Sequence, residues 1–169
     1  EEFNEVDLGK FYENPTKNAF ETEKSFFELR IKKHNEYKTR KKYPQIFDYL
    51  AHKSIIFSKK TMTKFEFVKF QRDFNQYSDV FINPEIVIYL DQETSYVLDK
   101  IKRRGRVFEK KIDLKYLNLI KSEYNNWKTK TKFKIFNINL NKSDFKNDHS
   151  VFLTFLNLFF KYWLLNRNP

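Results

Sequence analysis

Residues 84–109 decide the predicted fold. They contain an apolar run, PEIVIYLD (84–91), and a basic segment, KIKRRGRVFE (100–109), with a short interval of helical character between them. A continuous apolar run of this kind is typical of a strand that is covered on both faces, as in a parallel sheet. In the basic segment three arginines surround Gly105, and the carboxylate of Glu109 follows three residues after the last of them.

The basic segment has two interpretations. The planar fork of arginine can hold phosphate oxygens in pairs, so the segment is suited to be a phosphate clamp with Glu109 as a polar anchor. It is also compatible with a solvated charge run that ends a helix at Gly105. Spacing alone favours the charge run, so the surrounding sequence has to decide between them.

The flanking sequence alternates between helical and strand patterns. Five segments have apolar residues at helical spacing: 16–37, 54–60, 64–80, 93–103 and 113–129. Two more strands are predicted, at 45–49 and at 133–140, because the first is short and apolar after Pro44 and the second alternates. Strands that alternate with helices indicate an α/β fold, which we expect to form one domain over residues 1–169.

Composition limits the classes of protein and partner. An apolar fraction of 40% and an aromatic fraction of 19% indicate a folded chain, and the net charge of +11 is compatible with nucleic acid, nucleotide phosphates or an acidic membrane surface. The absence of cysteine excludes disulfides and thiolate metal sites and fits a reducing compartment. The three histidines stand far apart, so no metal site is expected.

The C-terminal segment is very apolar. Residues 151–165 are fewer than the roughly 20 that a membrane span needs, and Asn157 and Lys161 interrupt them. We therefore expect a buried C-terminal helix, with a membrane-surface helix as the alternative.

Taken in order, these segments resemble the deoxynucleoside kinase family, especially its bacterial deoxyadenosine/deoxyguanosine kinase branch. The resemblance spans about residues 1–140. It is carried by PEIVIYLD, then KRRGRVFE and KYLNLIKSEYNNW, and by LGKFYE (8–13) with AFETE (19–23) nearer the start. It implies a P-loop NTPase-like parallel sheet flanked by helices. It also implies transfer of the γ-phosphoryl group of ATP, with Mg²⁺, to the 5′-hydroxyl of a deoxynucleoside, for preference a purine. A cytoplasmic homodimer without nucleic-acid or membrane partners is implied as well.

The resemblance also assigns roles to individual residues. Glu2 stands where the family has the general base that takes the proton of the sugar 5′-hydroxyl. Tyr12 and Glu109 match the tyrosine and the carboxylate that bind the sugar 3′-hydroxyl. Taken alone, Tyr12 is typical of a half-buried aromatic residue and Glu109 of a surface acid.

The basic segment becomes a lid in this interpretation. The lid covers about residues 103–110, and Arg104 and Arg106 match arginines that fold over the ATP phosphates and the transferring phosphoryl group. Phosphoryl transfer depends chiefly on positioning and on neutralising charge, so two guanidinium groups suit it. Gly105 would allow the lid to open and close.

Three positions depart from the family pattern or match it only loosely. Glu23 stands at the place of the glutamine that reads the base edge, and a carboxylate accepts hydrogen bonds without donating any. Asp48 falls within the family's Asp-Arg-Ser motif, whose arginine is absent here, and it is either a strand-end acid or a core-edge acid. Phe57 either stacks on the base or belongs to the core.

The start of the chain departs most. No G-x-x-x-x-G-K-[ST] motif occurs, the first residue is Glu1 and the only methionine is Met62. We therefore expect the chain to begin after the first strand, the P-loop and the first helix, and to be a poor kinase by itself. Two alternatives remain open at this stage: a catalytically inactive nucleotide-binding relative, and a basic nucleic-acid-binding module.

Overall fold

A computed structural model describes the chain at residues 8–39 and 46–142, and at positions 149, 152–153, 156–157 and 160–161. Within these residues the α-helices are α1 (Leu8–Glu13), α2 (Pro15–Lys38), α3 (Lys53–Thr61), α4 (Lys64–Gln76), α5 (Thr94–Arg104) and α6 (Leu114–Lys130). The strands are β1 (Val87–Asp91) and β2 (Ile135–Asn139). Short 3₁₀ turns lie at Ser78–Val80, Val107–Glu109 and Leu140–Lys142.

The two strands form a parallel sheet. β1 and β2 are neighbours, and their register pairs Val87 with Ile135 and Asp91 with Asn139. Parallel strands need a crossover connection, which α5 and α6 supply between them. The architecture is therefore a helix-rich α/β fold, as the sequence predicts.

Side-chain caps determine where two of the helices, α2 and α6, begin. Asn14 accepts a hydrogen bond from the Lys17 amide at 3.2 Å, and Pro15 opens α2 with a backbone angle already suited to a helix. Asp113 accepts one from the Tyr116 amide at 2.8 Å and so caps α6. These caps set the first turns of the two helices that carry most of the site.

The core is built from phenylalanine. Phe27 of α2 lies 5.6 Å from Phe70, 5.5 Å from Phe74 and 5.7 Å from Phe81, measured between ring centroids. The buried cluster consists of Phe11, Ala19, Phe27, Ala51, Met62, Phe70, Phe74 and Phe81. Edge-to-face and tilted ring contacts fill the volume that aliphatic side chains more often occupy. This packing fixes α2 against α4.

Three expectations about the fold are wrong within the described residues. Positions 46–49 form an irregular loop with bends at Asp48 and Tyr49 rather than a strand, because Phe47 and Tyr49 pack against the His34 ring of α2 and not against a neighbouring strand. β1 is only half-buried, because α6 contacts the face that carries Tyr89 and Asp91, whereas Leu90 on the opposite face is 56% exposed.

The third error concerns the C-terminal segment. The described positions there are helical, but Phe152, Leu153 and Phe160 are exposed instead of buried. An apolar pattern predicts a face that needs cover, whereas only tertiary packing supplies the surface that covers it. Among the described residues no helix is both long and apolar enough to cross a membrane.

Candidate active site

The turn that follows α5 brings three predicted site residues together. α5 ends at Gly105, whose φ of +72° lies in the left-handed region that glycine adopts without steric cost. The chain reverses there and enters the 3₁₀ turn Val107–Glu109. Arg104, Arg106 and Glu109 consequently converge on one point.

Glu109 is the centre of this convergence. Its side chain is only 7% exposed, and Arg104 holds it with two hydrogen bonds, from Nε to Oε2 at 3.1 Å and from Nη2 to Oε1 at 2.6 Å. Arg106 Nη1 lies 3.7 Å from Oε1 as a second cation. A buried carboxylate needs such compensation, and the two-bond fork fixes its plane as well as its position. Glu109 is therefore not a surface acid.

Tyr12 lies beside this ion pair. Its ring stacks on Phe108 at 6.0 Å and meets the edge of Phe11 at 4.9 Å. Burial, together with the negative charge of Glu109 and against the opposing effect of Arg104, raises the pKa of the Tyr12 phenol to about 12. The phenol stays protonated at neutral pH and keeps a hydrogen-bond donor in the site.

α2 contributes a buried acid and a buried base. Glu23 and Arg30 are 8% and 2% exposed, and they lie two turns apart on one face of the helix. Arg30 Nη1 donates a hydrogen bond to Ser54 Oγ of α3, and its guanidinium group lies over the rings of Phe26 and Tyr49. A cation that is almost fully buried needs partners of this kind.

Arg30 is a candidate site residue that the sequence did not predict. The signal was present, because positions 19, 23, 27, 30 and 34 form one buried stripe at helical spacing, and a charged residue on such a stripe is unusual. Its guanidinium group lies over the ring of Tyr49, the residue that follows Asp48.

α6 links the two ends of the site through its tyrosines. Burial raises the pKa of Tyr116, and the charges of Tyr12 and Glu23 raise it further. Burial likewise raises the pKa of Tyr124, with Glu23 adding to the effect and Arg30 opposing it. Tyr116 therefore lies within electrostatic range of both Tyr12 and Glu23, whereas Tyr124 lies within range of Glu23 and Arg30.

A second missed residue joins α3 to α6. Glu123 is buried and accepts ion-pair contacts from Lys59 Nζ at 2.7 Å and from Lys60 Nζ at 2.9 Å. Burial favours its neutral form, but the hydrogen bonds from the two lysines outweigh burial, so the pKa of Glu123 lies below its usual value. This contact holds α6 against the helix that carries Ser54 and Phe57.

The remaining predicted residues fall in different places. Phe57 meets Tyr124 edge to face at 6.3 Å, so it borders the α2 end of the site. Asp48 is exposed in a bend and has no hydrogen bond or ion pair within the described part of the chain. Glu2 lies outside the described residues, so its role stays a prediction.

The fold matches solved structures of known kinases. Deoxyadenosine kinase from M. mycoides with bound dATP aligns with a TM-score of 0.73 at 21% identity, over 89% of this chain and 80% of that chain. The same enzyme with the products dCMP and a flexible dCDP aligns equally well, at 22% identity, over 90% and 80% of the two chains. The fold therefore places the chain in the class of helix-rich α/β proteins with a parallel sheet.

Sequence comparison defines the family within that class. The sequence model of the deoxynucleoside kinase family matches residues 1–161. The chain belongs to the deoxynucleoside kinase family. Deoxyguanosine kinase of Bacillus subtilis (strain 168) is 32% identical over 120 residues, which are 69% of this chain. The match spans 58% of the length of that relative.

Proposed function

We propose that this chain forms the nucleoside site and the lid of a kinase that phosphorylates deoxynucleosides with ATP. The observation that carries the proposal is the buried Glu109 carboxylate, fixed by Arg104 at 2.6 Å and 3.1 Å beside the protonated Tyr12. Glu109 offers a hydrogen-bond acceptor and Tyr12 a hydroxyl group, and both lie beside a positively charged turn. Together they suit a ligand that carries a hydroxyl group near a phosphate. The kinase names of the relatives support the same conclusion.

In the proposed reaction the 5′-hydroxyl oxygen attacks the γ-phosphorus of ATP. The new oxygen–phosphorus bond forms as the bond to the β-phosphate oxygen breaks, and ADP leaves. The hydroxyl proton passes to the carboxylate that we assign to Glu2. The 3′-hydroxyl donates to Glu109 and accepts from Tyr12, which places the sugar with its 5′ end toward the phosphate.

We assign the phosphate contacts to Arg104 and Arg106. The Arg104 side chain is 47% exposed although it holds Glu109, so it still presents N–H groups to solvent, where phosphate oxygens would lie. Bound with ATP, Mg²⁺ would neutralise phosphate charge, chiefly through phosphate and water ligands. The described residues include no group of three acidic, histidine or cysteine side chains placed to hold a metal ion, and we assign it no ligand here.

We propose a purine, and specifically guanine, as the preferred base. Glu23 offers only acceptors, and guanine presents adjacent N–H donors at N1 and at its exocyclic amine. Arg30 offers donors, which guanine O6 and N7 accept. Adenine has an acceptor at N1, which would face the Glu23 carboxylate unfavourably. Phe57 and Tyr124 supply apolar surface for the rings.

The test of the function uses the full-length protein with ATP, Mg²⁺ and each of the four natural deoxynucleosides. We expect formation of the 5′-monophosphate, fastest with deoxyguanosine. The Glu109→Gln variant, which keeps the size of the side chain, should raise KM for the nucleoside more than KM for ATP. If none of the four is phosphorylated, the proposed activity is wrong.

One observation favours a second function, that of a catalytically inactive nucleotide-binding relative. The arginine of the Asp-Arg-Ser motif is absent and Asp48 is exposed, so a charged contact near the reacting group is lost. Such a protein would be folded and would bind deoxynucleosides, but it would form no product. Calorimetric binding without turnover in the assay above would support it.

We also propose that the protein is a cytoplasmic homodimer. Phe65 and Val68 stand three residues apart on one exposed face of α4, with 81% and 58% of their surfaces in solvent. Apolar residues of this kind are compatible with a subunit contact. Light scattering coupled to size-exclusion chromatography would measure the mass, and a monomer at micromolar concentration would contradict the assembly.

A further inference from the structure

Tyr116 carries a polar group that the fold itself leaves unsatisfied. It is the third residue of α6, and the Asp113 cap fixes its backbone by accepting a hydrogen bond from its amide at 2.8 Å. The phenolic hydroxyl is buried from solvent, and it has no hydrogen-bond partner within the part of the chain that the structure describes. Buried hydroxyls almost always have a partner, so this one requires an explanation.

The surroundings of the hydroxyl indicate what kind of group is absent. Tyr12 and Glu23 raise the pKa of Tyr116 beyond the effect of burial, so the phenol is protonated and is a donor at neutral pH. The negative charge of Glu23 disfavours a phosphate or a carboxylate at this point. The complementary group is therefore an uncharged acceptor, such as an alcohol oxygen.

The hydrogen-bonding capacity of an alcohol gives the number of contacts to expect. A hydroxyl group donates one hydrogen bond and accepts two. In the proposed function the sugar 3′-hydroxyl donates to Glu109 and accepts from Tyr12, which leaves one lone pair without a partner. The phenol of Tyr116, which lies within electrostatic range of Tyr12, can donate the third hydrogen bond of the 3′-hydroxyl.

We propose that the Tyr116 hydroxyl is a further substrate contact, which donates a hydrogen bond to the sugar 3′-hydroxyl of the bound deoxynucleoside. This inference rests on the proposed function, because it places the sugar beside Tyr12 and Glu109. It makes Tyr116 a residue that is poorly satisfied without ligand and fully satisfied with it. The 3′-hydroxyl then has all three of its hydrogen bonds.

The test uses Tyr116→Phe in the full-length protein, with Tyr96→Phe as the matched control, since Tyr96 is exposed on α5. Without ligand, the Tm of Tyr116→Phe should equal or exceed that of the wild type, because an unsatisfied group is removed. Calorimetry should show deoxyguanosine binding weakened roughly 3- to 10-fold, the usual worth of one neutral hydrogen bond. Binding of 2′,3′-dideoxyguanosine should be the same in variant and wild type, and Tyr96→Phe should change nothing.

Two results would overturn the inference. A lower Tm of Tyr116→Phe with unchanged deoxyguanosine affinity would mean that the hydroxyl has a structural partner, such as an ordered water. An equal loss of affinity for the 3′-deoxy analogue would mean that Tyr116 contacts another atom. Failure of the wild-type protein to bind any deoxynucleoside is a separate outcome, which would overturn the proposed function itself.

Discussion

Removal of the Arg104 guanidinium should expose how the site is held together. Arg104→Met keeps the length of the side chain but deletes both hydrogen bonds to Glu109, at 2.6 Å and 3.1 Å, and leaves a carboxylate that is 7% exposed. Breaking a fully buried pair from one side costs about 3–5 kcal/mol. Arg104 is 47% exposed, so solvent screens the pair, and Arg106 remains at 3.7 Å. We therefore expect a loss of about 1–2 kcal/mol.

The assay is thermal unfolding combined with steady-state kinetics. For a protein of this size each kcal/mol lowers Tm by about 2–4 °C. KM for the nucleoside should rise roughly tenfold, because a loosened Glu109 loses the worth of a charged hydrogen bond to the sugar. Arg103→Met is the matched control, since the side chain of this neighbouring arginine is exposed and makes no hydrogen bond or ion pair among the described residues.

A double variant makes the reasoning refutable. In Arg104→Met/Glu109→Gln the uncompensated charge is gone, so the double variant should be more stable than Arg104→Met alone. If the losses of unfolding free energy in the two single variants simply add in the double variant, Arg104 does not stabilise the fold by compensating the charge of Glu109. Equal stability of Arg104→Met and Arg103→Met would refute the argument in the same way.

Three further predictions concern other parts of the structure. Gly105→Ala should lower the free energy of unfolding, measured by chemical denaturation, by about 1–2 kcal/mol, because alanine is strained at φ +72° even though no atom lies within 4 Å of its Cβ. Gly105→Asn should lose less stability, because asparagine tolerates a positive φ better. Glu123→Gln should cost about 1 kcal/mol at pH 7, since Lys59 and Lys60 are partly exposed. The folded pKa of Glu123 lies below the unfolded value of 4.5, so its contribution is present above pH 4.5 and is lost as the pH falls through the folded pKa. Urea unfolding of variant and wild type should accordingly converge in acid. Glu23→Gln should shift the kcat/KM ratio of deoxyguanosine to deoxyadenosine toward deoxyadenosine, and an unchanged ratio would contradict the base assignment.

Much of the fold follows from local pattern. The apolar run at 84–91, the helical spacing around it and the caps at Asn14 and Asp113 all depend on residues near in sequence, so β1, α2 and α6 are predicted within a few residues of their bounds. The strand predicted at 45–49 is wrong for a reason that no local window contains. Its aromatic residues pack on the ring of His34, which is distant in sequence.

The site was predictable only in part. Arg104, Arg106 and Glu109 are close in sequence, so one glycine turn is enough to bring them together. Arg30 and Glu123 were missed, because a charged residue in a helix is usually exposed and nothing local indicates that another helix will cover it.

The sequence by itself determined the family, the order of helices and strands, and the basic turn at Gly105. Each of these depends on the identity and spacing of neighbouring residues. The tertiary structure decided which of the candidate site residues are buried, which are protonated and which contact one another. It buries Glu109 under Arg104, places the phenol of Tyr12 beside them and encloses the hydroxyl of Tyr116. Burial and electrostatic coupling arise only in the folded chain, because segments that are distant in sequence then surround each of these residues.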